Sequence, residues 1–304
     1  MSSPRDGVAE LVAAGERAAF HGRPLDGVAP LTHVLGRDDA ARDRAGVDRA
    51  RWLLGVCLGA AGRYGPALDA LAPLLASDPA ADGSGARPAL PALAAATAAS
   101  LHRQLGRHAA ARTLDRHARD LTGTGPSAGA QPDLAAARFD AELGLAADAV
   151  GLGEADAARA HLERAQAVLV VLAGCRGVGR HAAPDACWRQ EVRLAWVRAE
   201  VGLLTGRTDL AVEASRAALA AAEAAGAPRH VAKSALFLGV ALREAGQPAA
   251  ARTALRRAAA LAGALDARPL CWPAHAVLAA LELAEGGGAG RSRADAHRRA
   301  AGDV

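Results

Sequence analysis

The residues best suited to chemistry are a few cysteines and histidines, and their spacing fits no familiar catalytic or metal-binding motif. Cys175, His181 and Cys187 lie in or beside one predicted loop, but no fourth ligand accompanies them and the spacing matches no zinc site. Three further histidines flank a predicted turn at Gly106, where exposed imidazoles are ordinary. No phosphate-binding glycine loop, HExxH motif or GxSxG motif occurs. We therefore expect no catalytic residue, no metal and no cofactor.

Composition excludes several classes of protein. The 304 residues are 51% hydrophobic but only 3% aromatic, which is too apolar for a disordered chain and leaves little material for a β-sheet. No apolar run of about 18 residues lacks charges, so no transmembrane helix or membrane partner is expected. The net charge is +4, and most arginines have an acidic neighbour within a helical turn, so specific nucleic-acid binding is not expected either. The four cysteines form no CxxC pair, which favours a reduced, cytoplasmic setting.

A repeated pattern supplies the elements that would position functional residues. Each copy has an apolar helix, a turn glycine and a second helix, and the clearest copies are centred on Gly62 and Gly246. Relative to these glycines, another glycine lies seven residues before, an alanine five residues after and a leucine nine residues after. The same frame finds four more copies and a seventh first helix, around Gly22, Gly106, Gly153 and Gly206 and over residues 273–287.

The spacing has a physical basis. Two antiparallel helices approach closely only where small residues meet at their crossing. A glycine ends the first helix because it accepts the left-handed conformation, and Pro66 and Pro248 suit the first turn of the second helix. One hairpin cannot bury its apolar faces alone, so neighbouring hairpins must stack. The sequence thus predicts an all-α solenoid of about six to seven helical hairpins.

The pattern resembles the tetratricopeptide repeat family. That family has small residues at its eighth, twentieth and twenty-seventh positions and a large apolar residue at its twenty-fourth, and residues 48–79 and 232–263 match best, with Gly55, Leu58, Ala67, Leu71, Pro79, Gly239, Leu242, Ala251, Leu255 and Ala258. The turn glycines are about 40 to 53 residues apart rather than about 34. Such long, Ala/Leu-rich repeats look like those of bacterial signalling regulators. The resemblance implies a right-handed solenoid that binds its partner on the concave face.

The same resemblance places outward columns of the first helices thirteen, six and three residues before each turn glycine. The candidate partner-binding residues in these columns are Arg49, Arg103, Asp140, Arg193, Glu200, Lys233 and Arg243. Their excess of cations suits a protein or peptide with acidic or carboxylate groups. Trp52 and Trp196 lie ten residues before their glycines and are either groove anchors or core residues. The apolar character of their column favours the core.

We expect one solenoid over residues 1–285, with possible breaks at Gly/Pro/Ser-containing loops over residues 77–91, 122–132 and 173–185. Residues 286–304 begin with three glycines and are rich in arginine, so we expect a flexible basic tail.

The favoured function is a non-enzymatic scaffold or regulatory adaptor that binds a protein or peptide on its concave face. The alternative is a ligand- or peptide-sensing regulatory domain of a bacterial signalling or transcription system, and an enzyme on a helical scaffold ranks third. An enclosed internal pocket with convergent polar groups would favour the sensor. A homo-oligomer remains open.

Overall fold

The computed structural model describes residues 4–37, 43–77, 89–123, 132–177, 187–285 and 287–302. These ranges contain α-helices, one short 3-10 helix (Pro24–Gly27) and no β-strand. The α-helices follow one another as α1 (Pro4–His21), α2 (Val28–Leu35), α3 (Arg44–Ala60), α4 (Tyr64–Leu75), α5 (Ala89–Gln104), α6 (His108–Thr122), α7 (Pro132–Gly151), α8 (Ala155–Gly177), α9 (Trp188–Leu204), α10 (Thr208–Ala224), α11 (Pro228–Glu244), α12 (Pro248–Ala264), α13 (Arg268–Glu285) and α14 (Gly287–Gly302).

The predicted all-α solenoid is confirmed. Within the described ranges, successive helices pair into seven hairpins, and each hairpin packs on the next. The first helix of each hairpin also packs on the first helix of the following one, from α1 through α13. These first helices, with odd numbers, are called the inner helices below. Their direct stacking places them on the concave side of the array.

The turn glycines behave as the repeat frame predicts. Gly62, Gly106, Gly153, Gly206 and Gly246 all have positive φ angles, between 70° and 81°. The residue after each glycine donates its backbone N–H to a carbonyl five residues earlier, at 2.8–2.9 Å, which satisfies a carbonyl that the helix end leaves unpaired.

The first copy departs from this geometry. Gly22 does not have a positive φ, and the chain passes from it into the 3-10 helix before α2 begins.

Close helix crossing depends on the glycines seven residues before the turns. A Cβ atom at Gly55 would lie 2.6 Å from Leu71 Cγ, and one at Gly239 would lie 2.5 Å from Leu255 Cγ. Both leucines are fully buried. The glycine of the first helix therefore makes room for the leucine of the second, and the predicted role of small residues at the crossing is confirmed.

The end of the chain differs from the expected flexible tail over residues 286–304. Gly287–Gly302 form helix α14, which packs against α13 as the second helix of the seventh hairpin. Ala294 is fully buried there, and Arg293 pairs with the buried Glu282. These contacts outweigh the low helix propensity of the glycines, which alone suggested disorder.

Most of the three predicted linkers, residues 78–88, 124–131 and 178–186, lies outside the described residues, as does the predicted loop around His181. In the rest of the chain, no helix combines the length and apolar character that crossing a bilayer requires.

The solenoid curves far enough to bring its first and last hairpins together. Helix α1 contacts α11, and Arg23 forms an ion pair with Asp266, between α12 and α13. A Cβ atom at Gly62 would lie 3.4 Å from Pro269 Cδ. Because of these contacts, the concave face surrounds a central space that stays partly open.

Candidate functional site: a cavity lined by the inner helices

A cavity of about 380 Å³ lies at the centre of the array, and we call it the central cavity. All seven inner helices contribute to its wall, from Phe20 on α1 to Leu270 on α13. Its volume falls in the range of about 300–1,000 Å³ that is typical of ligand sites. The site is therefore a partly open cavity on the concave side of the array.

Five of the seven candidate residues line the central cavity. They come from four inner helices and are Arg103, Asp140, Arg193, Glu200 and Lys233. The columns thirteen and six residues before the turn glycines therefore do face the interior of the solenoid.

Two candidates lie elsewhere. Arg49 lines a neighbouring pocket of about 280 Å³, where its Nη2 lies 2.9 Å from Glu16 Oε1 and its Nη1 lies 3.8 Å from Asp133 Oδ2. Arg243 lines neither space, because it lies in the last turn of α11 and pairs with its neighbour Glu244 at 2.5 Å.

Two arginines of the cavity wall were not among the residues predicted from the sequence columns. Arg189 and Arg229 both lie seventeen residues before a turn glycine, in the first turns of α9 and α11. Offsets of seventeen, thirteen, ten, six and three residues follow the spacing of one helix face. Extending the columns by one turn toward the helix start would have found both residues.

Asp140 on α7 is shared by two arginines of α9. Arg193 donates to Oδ1, and Arg189 Nη2 lies 3.5 Å from Oδ2. The carboxylate is only 6% exposed, and burial lowers the pKa of Arg193. One carboxylate neutralises one guanidinium, so this group of three side chains keeps a net positive charge.

Arg229 has no counter-ion among the described residues. Its Nε is buried and lacks a hydrogen-bond partner there. Burial lowers the pKa of Arg229, and the charge of nearby Arg193 contributes to the same shift. A buried cation without a partner is costly, which makes this guanidinium a natural place for an anion of a ligand.

Arg103 carries a different arrangement at the other end of the cavity. It pairs with Asp115 and, at 3.1 Å, with Asp148 Oδ1, and both carboxylates are fully buried. Burial raises the pKa of Asp115 well above its ordinary value. A methyl group at Gly144 would overlap the Asp115 carboxylate, so this glycine is required for the pair to form. Arg103 is thus held in place by the core behind it.

Two aromatic side chains form the wall next to Lys233. The Nζ atom of Lys233 lies 4.3 Å from the ring centroid of Trp196 and 5.6 Å from that of Phe237. The two rings are nearly parallel, with centroids 6.1 Å apart, and His230 stacks on Trp196 at 5.5 Å. Aromatic faces and adjacent cations offer both apolar and electrostatic contacts to a ligand.

Trp52 and Trp196, for which the sequence allowed either a core or a groove position, combine both roles. Trp52 and Trp196 are 5% and 6% exposed, and both rings also border the central cavity. Each indole Nε1 donates to a hydroxyl on the next inner helix, Trp52 to Thr97 at 3.0 Å and Trp196 to Ser234 at 2.9 Å. These side chains belong to the core and shape the cavity from within it.

The described part of the chain contains no group of three or more His, Cys, Asp or Glu side chains arranged to hold a metal ion. Cys57, Cys187 and Cys271 are buried, and burial raises the pKa of the Cys57 thiol to about 12.

Comparison with known proteins identifies the fold. No family model and no curated protein matches the sequence. A crystal structure of a Rap protein complexed with competence and sporulation factor is similar over 99% of this chain and 78% of that chain, with a TM-score of 0.64. The two sequences are 13% identical. This likeness shows a helical-repeat fold.

Proposed function

We propose that this chain is a non-enzymatic, tetratricopeptide-like repeat protein that binds a short peptide with an acidic group inside its central cavity. The observation that carries the proposal is the excess of cations in the cavity wall. Five cationic side chains line it, namely Arg103, Arg189, Arg193, Arg229 and Lys233, against the two acidic side chains Asp140 and Glu200. The carboxylates that pair with Arg103 offset part of this excess.

Charge balance points to Arg229 as the anchor. Arg103 already has two buried carboxylates, and Arg193 has Asp140. Arg229 alone among these arginines lacks an ion pair within the described ranges. A carboxylate is the planar partner that fits a guanidinium through two parallel hydrogen bonds. An Asp or Glu side chain, or the end of a peptide, supplies that group.

The size of the cavity favours a short segment over a folded partner. A volume of about 380 Å³ holds a few side chains but no protein domain. The aromatic wall of Trp196 and Phe237 offers a surface for an apolar residue next to the acidic one.

A regulatory role is the second candidate, and the closure of the solenoid favours it. The Arg23–Asp266 pair and the contact of α1 with α11 join hairpins that are distant in sequence, around the space a ligand would fill. A ligand that contacts both sides would favour one curvature over another, provided it binds one state more tightly. The similar Rap structure is a complex with competence and sporulation factor, which supports a ligand-binding role for this fold.

Selection from a displayed library of random short peptides tests the proposal. Ala147→Trp fills the cavity from α7, whereas Ala224→Trp adds the same bulk on exposed α10. We expect selected peptides to be rich in Asp and Glu, and to bind the wild type and Ala224→Trp but not Ala147→Trp. Equal binding to the filled variant, or no selected peptide at all, would refute the proposed function.

A further inference from the structure

Lys233 is the only lysine of the chain, and it lies in the wall of the central cavity. Its amine faces the rings of Trp196 and Phe237, and it makes no hydrogen bond or ion pair among the described residues. Every other cationic side chain of the cavity wall is an arginine. Because a guanidinium stays protonated, Lys233 is the one cation of the wall that can become a neutral nucleophile.

The surroundings of Lys233 favour its neutral form. Burial lowers the pKa of Lys233 to about 8; Glu200 opposes the shift, and Arg229, Arg193 and Arg103 add to it. Since the pKa is close to neutral, about a tenth of the amine is uncharged at pH 7. Desolvated lysines near other cations are the usual form of amine nucleophiles in proteins.

Arg229 and Lys233 are placed to act on one small molecule. They lie four residues apart on α11, so their side chains share one face of the helix, with Cβ atoms about 5–6 Å apart. Both line the central cavity. Two such groups on one helix face suit a compound that carries a carboxylate next to a carbonyl group, with the carboxylate at Arg229 and the carbonyl carbon at Lys233.

Glu200 supplies an acid on the facing helix. It lies on α9, lines the same cavity, and burial raises its pKa. This shift favours the protonated form of Glu200, and that form can donate its proton to a leaving hydroxyl group.

We propose that Lys233 forms an imine with a 2-oxo acid whose carboxylate is bound by Arg229. The neutral Nζ attacks the carbonyl carbon, the C–N bond forms as the C=O π bond breaks, and a proton passes from the attacking nitrogen to the oxygen to give a neutral carbinolamine. The hydroxyl group then leaves as water with a proton from Glu200, and the C=N bond forms. The protonated imine keeps the positive charge of the lysine, and no oxidant or reductant takes part. This inference is independent of peptide binding, because it requires only that a small anion enter the cavity.

Reductive trapping tests the proposal on the full chain. The protein is incubated with pyruvate and sodium borohydride, and adducts are located by intact mass and peptide mapping. We expect one adduct at Lys233, and none there in Lys233→Arg, which keeps the charge but cannot form an imine. Since the chain has no other lysine, the N-terminal amine is the internal control.

Two comparisons isolate the roles of Arg229 and of the folded cavity. In Arg229→Gln the pyruvate concentration for half-maximal labelling should rise about tenfold or more, whereas Arg243→Gln should label as the wild type does. Acetone, which lacks the carboxylate, should label Lys233 much less than pyruvate. Labelling confined to the N-terminus would overturn the proposal, and equal labelling by acetone or by Arg229→Gln would overturn the assignment of the carboxylate. Thermal unfolding of each variant shows whether the cavity is intact, and trapping in the folded Ala147→Trp variant should fall.

Discussion

Asp115 on α6 occupies, in the third hairpin, the position that Leu71 occupies on α4 in the second, nine residues after the turn glycine. Both side chains are fully buried. Gly55 leaves the space that Leu71 fills, and Gly144 leaves the space that the Asp115 carboxylate fills. An acid at a core position needs a counter-ion, and Arg103 supplies it from the cavity side.

Removal of Arg103 should destabilise the fold more than removal of an exposed arginine. Arg103→Met leaves Asp115 and Asp148 buried without their cation, which should lower the free energy of unfolding by about 3–5 kcal/mol. Arg243→Met, at the end of α11, should stay within about 0.5 kcal/mol of the wild type. Chemical denaturation measures both, and adding Asp115→Asn and Asp148→Asn to Arg103→Met should restore part of the loss. A wild-type midpoint for Arg103→Met would contradict the structural role given to this ion pair.

The same cluster should give the stability a dependence on pH. Burial raises the pKa of Asp115 well above its ordinary value, so the folded chain holds a proton that the unfolded chain releases above about pH 4. The stability that this proton contributes is fully present below that pH and is lost as the pH rises through the folded-state pKa. In Asp115→Asn, the free energy of unfolding should depend less on pH over this range. Chemical denaturation at a series of pH values measures this dependence. An unchanged slope would show that the proton resides elsewhere.

The hairpins could be predicted because their requirements are local. Each turn needs a residue in the left-handed conformation, and each helix crossing needs a small residue. Both requirements select glycine at fixed offsets in the sequence, as at Gly62 and Gly55. The closure of the solenoid could not be predicted this way. It is the sum of small rotations between hairpins, and the contact of Arg23 with Asp266 spans almost the whole chain.

The candidate site was found in part for the same reason. Lys233 and Arg193 recur at one offset, so the column revealed them, whereas Arg229 lies one turn earlier on the same face. Arg243 has a favourable offset but lies beyond the cavity, whose extent is set by the closure of the array. Asp115 lies nine residues after its turn glycine, where the clearest copies have a leucine. This exchange of a leucine for an acid was the feature of the sequence that indicated a buried ion pair.

The packing role of the inner-helix glycines can be measured directly. Gly55→Ala adds a methyl group 2.6 Å from Leu71 Cγ and should destabilise the fold by about 1–3 kcal/mol. Gly65→Ala, in the first turn of α4, meets nothing within 4 Å and should be neutral or stabilising by up to about 1 kcal/mol. Thermal and chemical unfolding of the two variants give the comparison. Equal effects at the two positions would mean that helix propensity, and not the crossing, sets the choice of glycine at 55.

Backbone strain at Asp266 gives a prediction about the closure. Its φ of 52° is left-handed, the only such angle at a non-glycine residue in the described ranges. Asp266→Ala loses the ion pair with Arg23 and keeps the strain, whereas Asp266→Gly loses the ion pair and also relieves the strain. The glycine variant should therefore be the more stable by about 1 kcal/mol in thermal unfolding. Because the pair is exposed, Arg23→Ala alone should leave the unfolding temperature nearly unchanged. A glycine variant no more stable than the alanine variant would contradict the strain.

Helix α14 meets α13 through two histidines. Nδ1 of His275 lies 3.1 Å from Nδ1 of His297, so at least one ring must be neutral for a hydrogen bond to form. Burial lowers the pKa of both histidines. The charges of His275 and Arg256 add to the lowering of the His297 pKa, while Glu282 opposes it.

Acid should therefore loosen α14 before the rest of the array. Both histidines have folded-state pKa values below their unfolded values, so stability is lost as the pH falls below about 6.5, where the unfolded chain takes up protons more readily. Hydrogen exchange is measured above and below this pH and corrected for the intrinsic pH dependence of amide exchange. The protection of the α14 amides should then fall more in acid than the protection of the α11 amides. His297→Gln should reduce the difference, because Gln cannot become charged, while His117→Gln on exposed α6 should leave it unchanged. Acid-induced exchange in α14 that persists in His297→Gln would assign the effect to other groups, among them the three arginines around Glu282.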